Sequence, residues 1–176
     1  MSTAQAIGYQ DGLVETLGMN QYLTFLLAGE EYGLDILCVL EIKGWDTVAA
    51  IPNTPVYIKG VFNLRGTIVP IIDLRERFGL EKLEYGPTTV VIILKAKSDS
   101  RTRIMGMVVD AVSDVCSLSE DQIKPAPEFG SSIDTQFVKW LATVDQKLMI
   151  LLDIDLLLNS GELAILDSIS QYSIRG

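Results

Sequence analysis

Apolar residues recur along this chain in short runs of strand length, each broken by glycine, proline or polar turn residues. Val90 to Leu94 is typical, and no run approaches the roughly 20 apolar residues of a membrane-spanning helix. Tyr22 to Leu27 is rich in strand formers and ends at Ala28-Gly29-Glu30-Glu31, a predicted hairpin turn before Tyr32 to Asp35. Ile36 to Glu41 fits a helical turn or a strand. Val48 to Ile51 predicts a strand halted by Pro52, and Pro55 to Lys59 a single helical turn with Thr54 as N-cap. Val61 to Leu64, the turn Arg65-Gly66 and Thr67 to Ile72 predict a hairpin. Pro70 inside its second arm predicts an edge position or a bulge. Asp73 is placed to cap a short helix over Leu74 to Phe78, closed by Gly79.

Tyr85-Gly86-Pro87 marks a break, and a second β region follows. Thr88 to Lys95, a polar tip from Ser98 to Arg103, Ile104 to Val109 and Ala111 to Val115 supply its strands. Ile123 to Ser132 reads as a loop. Phe137 to Val144 and Lys147 to Leu152 predict a hairpin about Asp145-Gln146. A short helix follows Asp153 and stops at Asn159-Ser160-Gly161, and Glu162 to Ser168 predicts a final helix. Residues 1–20 carry little pattern and read as a loose arm. Many short strands with small connecting helices point to barrels or sandwiches.

The two β regions align with each other. At an offset of 73, Gly33 meets Gly106, Val39 meets Val112, Glu41 meets Asp114 and Pro52 meets Pro125. At an offset of 80, Thr67 to Leu74 lies on Lys147 to Ile154, and Arg65-Gly66 falls on Asp145-Gln146. This predicts an internal duplication: two similar small barrels joined near Tyr85, with a binding groove at their seam.

Composition narrows the chemistry. The 176 residues include 48% hydrophobic side chains, enough for a substantial core. The formal charge of -9 and pI near 4.4 disfavour nucleic acid and anionic membranes as partners. No basic start with an apolar core opens the chain, so the cytoplasm is the expected location. Cys38 and Cys116 are too few and too separated for a disulfide framework or a zinc site and read as buried thiols. There is no histidine, which excludes Ser-His and Cys-His nucleophiles, histidine metal sites and a phosphohistidine relay. Neither a P-loop nor G-x-G-x-x-G is present. Carboxylate chemistry is left, with Glu30-Glu31 and Glu120-Asp121 as the acidic pairs, both beside turns. The expectation is a binding protein with no catalytic residues, no cofactor and no metal.

Ile51 to Arg75 resembles the signature of the CheW family of bacterial chemotaxis coupling proteins, most recognisably in Asn63-Leu64-Arg65-Gly66 and Asp73-Leu74-Arg75. Glu31-Tyr32-Gly33-Leu34-Asp35-Ile36, Val39 with Glu41-Ile42, Val108-Val109-Asp110, Val112-Ser113-Asp114-Val115 and Ile123-Lys124-Pro125-Ala126-Pro127 extend the likeness in colinear order. The resemblance implies an all-β fold: two SH3-like five-stranded barrels around a shared apolar core, with short connecting and C-terminal helices. On this reading residues 1–20 are an arm and residues 21–170 the domain, divided into halves at 21–85 and 86–152 and a helical segment at 153–170.

It also implies a non-catalytic adaptor that links methyl-accepting chemotaxis receptors to the regulatory domain of the histidine kinase CheA, at receptor clusters under the inner membrane. Carried over by position, Ile36, Val39, Glu41, Arg65, Val90, Gly106 and Val112 would face the receptor tip, and Gly60 with Val39 the kinase. Each has a plainer reading: Glu41 as an outward strand residue, Arg65 as a solvated turn residue, Gly60 as a break before a strand, the apolar positions as core. Bulky Phe62, the long tip Ser98 to Arg103, Cys38 and Lys43-Gly44-Trp45 depart from the family pattern. The same module serving a non-chemotaxis receptor–kinase pathway, and more remotely a carboxylate-based enzyme, are the alternative functions.

Overall fold

The computed structural model describes residues 19–98, 101–126 and 137–159. Among the described residues eleven strands form two sheets. In chain order they are β1 (Met19–Leu27), β2 (Glu30–Asp35), β3 (Val39–Gly44), β4 (Ile58–Leu64), β5 (Thr67–Asp73), β6 (Val90–Ser98), β7 (Arg101–Val109), β8 (Ala111–Ser119), β9 (Ile123–Pro125), β10 (Val138–Val144) and β11 (Lys147–Leu152). Helices α1 (Leu74–Arg77) and α2 (Ile154–Leu158) follow β5 and β11. The five-stranded sheet runs β3-β6-β7-β5-β4, and the six-stranded sheet β8-β1-β2-β11-β10-β9. The fold is all-β, with SH3-like barrel subdomains.

The long apolar runs are explained by burial on both faces. Along β6, Val91 and Ile93 point into the first barrel, while Ile92, Leu94 and Ala96 point into a core shared by both sheets. β5 divides likewise, with Val69 and Ile71 inside the barrel and Ile72 in the shared core. On the other side of the seam, Met149 and Leu151 of β11 fill the second barrel and Leu152 the shared core. Leu23, Phe25 and Leu27 of β1 complete that common core, where Phe25 stacks on Tyr32 at 5.6 Å.

The expected division at residue 85 is not how the strands distribute. β1 and β2 lie in the sheet with β8–β11, and β6 and β7 in the sheet with β3–β5, so the two halves exchange their first hairpins. Parallel pairing joins each exchanged hairpin to its host, Ile71 opposite Gly106 and Leu151 opposite Gly33. These pairs are equivalent under the offsets of 73 and 80, and the packing repeats too. A Cβ on Gly106 would lie 2.4 Å from Ile71 Cδ1, and one on Gly33 2.6 Å from Leu151 Cδ2. Bulges recur at matched places as well, between Ile58 and Gly60 in β4 and between Val138 and Trp140 in β10.

Local expectations fare well where a turn or cap decides them. Ala28-Gly29 (φ 53, 81), Arg65-Gly66 (φ 50, 91) and Asp145-Gln146 (φ 51, 66) are tight hairpin turns with both central residues at positive φ. Asp73 caps α1 by accepting from Glu76 N at 3.2 Å, and Asp153 caps α2 by accepting from Leu156 N at 3.0 Å. Ile36 to Cys38 is a single 3-10 turn leading into β3, so both readings of that stretch hold in part.

Five expectations are corrected. The second sheet has six strands, because Ile123–Pro125 leaves the predicted loop to pair with Trp140 to Ala142. Val48 to Ile51 makes only one bridge, Ala49 to Val61, before Pro52 and left-handed Asn53 (φ 61) turn it away. Pro55 to Lys59 is a turn closed by Ile58 N to Pro55 O at 3.0 Å, with Lys59 already in β4. Pro70 lies in an interior strand. It is tolerated because Val61, opposite it, turns both N–H and C=O outward to Ala49, and pairing with β7 starts only at Ile71. The arm expected over residues 1–20 is corrected at its end, where Met19 and Asn20 already belong to β1; residues 1–18, the loop from 127 and the helix predicted at Glu162 to Ser168 lie outside the described residues.

Candidate functional site

Four of the apolar positions singled out in the sequence pack against the shared core from its two sheets. Ile36, Val39, Val90 and Val112 are half-buried and pack against it. Val39 sits opposite Leu94, and Val112 opposite Phe25, both core residues. Each valine is followed by a bulge that inserts one residue, Leu40 in β3 and Ser113 in β8, before the next pair, Glu41 with Ile93 and Asp114 with Thr24. The two sheets therefore present matched aliphatic edges with a carboxylate two residues beyond each valine.

Glu41 and Arg65 are brought together. The Arg65 guanidinium on the β4–β5 turn donates to Glu41 Oε2 on β3, and this hydrogen bond raises the arginine's pKa further. The arginine side chain is 74% exposed and the glutamate 29%. Beside them Lys43 lies 4.5 Å above the Phe62 ring, a second tie between β3 and β4. With the Ala49–Val61 bridge, these contacts draw together the two edge strands of the five-stranded sheet. Lys43 and Phe62 had been noted in the sequence only as departures from the family pattern. A cation and an aromatic 19 positions apart give no signal until β3 and β4 are seen to meet.

The two glycines are placed differently. Gly106 is buried inside the first barrel beneath Ile71 and Val91. Gly60 is buried at φ +141, and a Cβ there would lie 2.2 Å from the Ala49 carbonyl oxygen. Both are places of close packing.

A cleft of about 460 Å³ opens between the sheets, lined by Tyr22, Leu37, Cys38, Lys95, Lys139 and Trp140 among others. None of the residues proposed from the sequence lines it. Burial pushes the Cys38 thiol up to about 12, aided by nearby Asp35. Burial, with Asp73 accepting the Tyr85 hydroxyl, also raises the Tyr85 phenol. The acidic pair Glu120-Asp121 belongs to a 3-10 turn. Ser119 donates its hydroxyl to Asp121, which lowers that carboxyl, and its N–H to Gln122 Oε1. Among the described residues no group of three His, Cys, Asp or Glu side chains is arranged to hold a metal, and no helix is long and apolar enough to cross a membrane.

Residues 21–162 match the CheW-like domain family. The chain belongs to the CheW-like family. Chemotaxis protein CheW of Klebsiella aerogenes is 48% identical over 157 residues, covering 89% of this chain and 92% of that protein. The probable chemotaxis protein CheW of Rhizobium etli is 34% identical, over 82% of this chain and 91% of its own length. In three dimensions the chain resembles the scaffolding protein TtCheW of Thermoanaerobacter tengcongensis, with a TM-score of 0.72 at 36% identity over 81% of this chain and 94% of that one. It is a CheW-type chemotaxis coupling protein.

Proposed function

We propose that this CheW-like chain is a non-catalytic adaptor that couples methyl-accepting receptors to a CheA-type histidine kinase. It works in the cytoplasm, at receptor clusters. The receptor's helical tip lies along the seam, its apolar face on Ile36, Val39, Val90 and Val112 and its polar face toward Glu41 and Arg65. Aliphatic side chains flanked by a charged rim suit a helix laid in a groove, the charges setting its orientation. The observation that carries this reading is that half-buried aliphatics from both sheets flank the shared core, with a charge-paired glutamate on the same strand as Val39. Gly60 supports the kinase contact indirectly, by holding β4 and the segment at Ala49 in place.

The test is binding of the purified chain to a receptor signalling-tip fragment and to the kinase regulatory domain, for wild type and Glu41→Lys. The substitution puts a cation beside Arg65 at the rim. Receptor affinity is expected to fall by about tenfold with the fold intact. Wild-type binding to neither fragment, or equal receptor affinity for both chains, refutes the reading.

A further inference from the structure

Asp110 is the single residue between β7 and β8, where the chain leaves the five-stranded sheet and enters the six-stranded one. Its carboxylate accepts from Arg75 Nε on α1 at 2.9 and 3.1 Å and from Ala28 N on the β1–β2 turn at 2.9 Å. Its own N–H donates to Leu26 O at 3.2 Å. Arg75 is held in turn by donating to Glu81 O at 2.7 Å. One partly shielded carboxylate thus joins the helix of one sheet, the crossing strand and the hairpin tip of the other. The side chains of Arg75 and Asp110 are 16% and 22% exposed.

The opposite end of the seam has a counterpart. Asp155 aligns with Arg75 at the offset of 80, and each is the second residue of its helix. Asp155 Oδ1 accepts from Lys97 N at 2.9 Å, Asn159 Nδ2 donates to Lys97 O at 2.9 Å, and Arg103 donates to Leu158 O at 2.9 Å. Each helix is therefore tied to the hairpin that the other sheet hosts. One tie is a direct carboxylate to N–H bond, and the other runs through an ion pair.

Apolar burial in the shared core holds the sheets together but is non-directional, so it does not by itself set their angle. Charge-assisted hydrogen bonds of fixed geometry do. Asp110 also flanks the rim: Val109 pairs with Val90, and Val112 lies two residues on. We propose that Asp110, clamped by Arg75, is a positioning residue that fixes the relative orientation of the two sheets, and with it the width of the seam between Val90 and Val112. The effect on a partner rests on the seam being the receptor groove; the effect on orientation does not.

Residual dipolar couplings of backbone N–H groups test this directly. In the wild type both sheets fit one alignment frame. In Asp110→Ala each sheet is expected to fit well alone, while the frame relating them rotates or its order falls. A purely stabilising role would lower the melting temperature and leave the frame unchanged. Asp110→Asn keeps an acceptor for Ala28 N but removes the charge facing Arg75, and serves if the alanine variant does not fold; it is expected to shift the frame less. An unchanged frame in a folded variant overturns the proposal. Receptor-tip affinity, measured on the same samples, is expected to fall about threefold to thirtyfold. A shifted frame with unchanged affinity would leave the clamp standing and remove the groove reading.

Discussion

Gly60→Ala separates packing from contact at a position that the family pattern ties to the kinase. Gly60 has φ +141, a conformation that side-chain-bearing residues rarely adopt, which costs about 1–3 kcal/mol. The added Cβ would also sit 2.2 Å from Ala49 O and 2.7 Å from Ala49 C. Those are backbone atoms, so a rotamer change gives no relief and the Ala49 segment must move. Moving it breaks the paired bonds Ala49 N to Val61 O (2.8 Å) and Val61 N to Ala49 O (2.9 Å), each worth about 1 kcal/mol net. The sum is about 3–5 kcal/mol, a large part of the roughly 5–15 kcal/mol of a typical domain. At about 2–4 °C per kcal/mol the melting temperature should drop by about 6–20 °C. Urea and thermal unfolding measure this, with Gly66→Ala as the control. Gly66 also has positive φ (+91) but meets nothing within 4 Å, so it reports backbone strain alone. If Gly60→Ala loses no more stability than Gly66→Ala, the packing account is wrong. A stable Gly60→Ala that no longer binds the kinase domain would mark a direct contact instead.

Other outcomes follow from the same geometry. Gly106→Ala pushes a Cβ against Ile71 Cδ1 (2.4 Å) and Val91 Cγ1 (2.8 Å), an overpacking cost of about 1–3 kcal/mol. Ile71→Val removes the nearer atom, so the double variant should unfold at higher urea than the sum of the single losses predicts, and strict additivity would refute the clash. Cys38, with its pKa raised from 9.0 to about 12, stays neutral in the fold after the unfolded chain's thiol has ionised. Its contribution to stability is full below pH 9 and is lost as pH rises toward about 12. Burial shifts Tyr22, Tyr32 and Tyr85 in the same direction, so stability should fall through the alkaline range, and Cys38→Ala should soften that fall at its lower end. Unfolding midpoints from pH 8 to 11 in both chains check it, and parallel curves would count against the thiol's share.

What could be read from residues alone was what local chemistry decides. The hairpin at Arg65-Gly66 and the caps at Asp73 and Asp153 depend on neighbours within a few positions, and they are where the residues predict them. The offset of 73 aligned Val39 with Val112 before any pairing was known, and both prove to precede equivalent bulges. The partner of each strand was not legible. β1 pairs with β8, so Tyr22 faces Cys116, and no local pattern ties residues so far apart. The exchanged hairpins were therefore missed, and two sequential barrels were expected in their place. Glu41 and Arg65 were each visible as an exposed charge near apolar neighbours. Their mutual bond was not, because it needs β3 and the β4–β5 turn to meet across the barrel. Arg75 and Asp110 stood in plain view inside recognised motifs, but only the crossing between sheets gives them a task.

The exchange of hairpins between the sheets also sets a timetable for synthesis. Residues of β1 emerge from the ribosome about a hundred positions ahead of their partners in β8, since Met19 pairs with Ser119 and Tyr22 with Cys116. At about 5–20 residues per second, translation alone keeps the first hairpin waiting roughly 5–20 s for its own sheet. During that interval Leu23, Phe25 and Leu27 lack the core partners that come later in the chain, among them Met107, Val109 and Leu152. A nascent chain of this kind should depend on holding chaperones until β11 is out. Cut at Tyr85, neither fragment has a complete sheet, and the two should fold only when mixed.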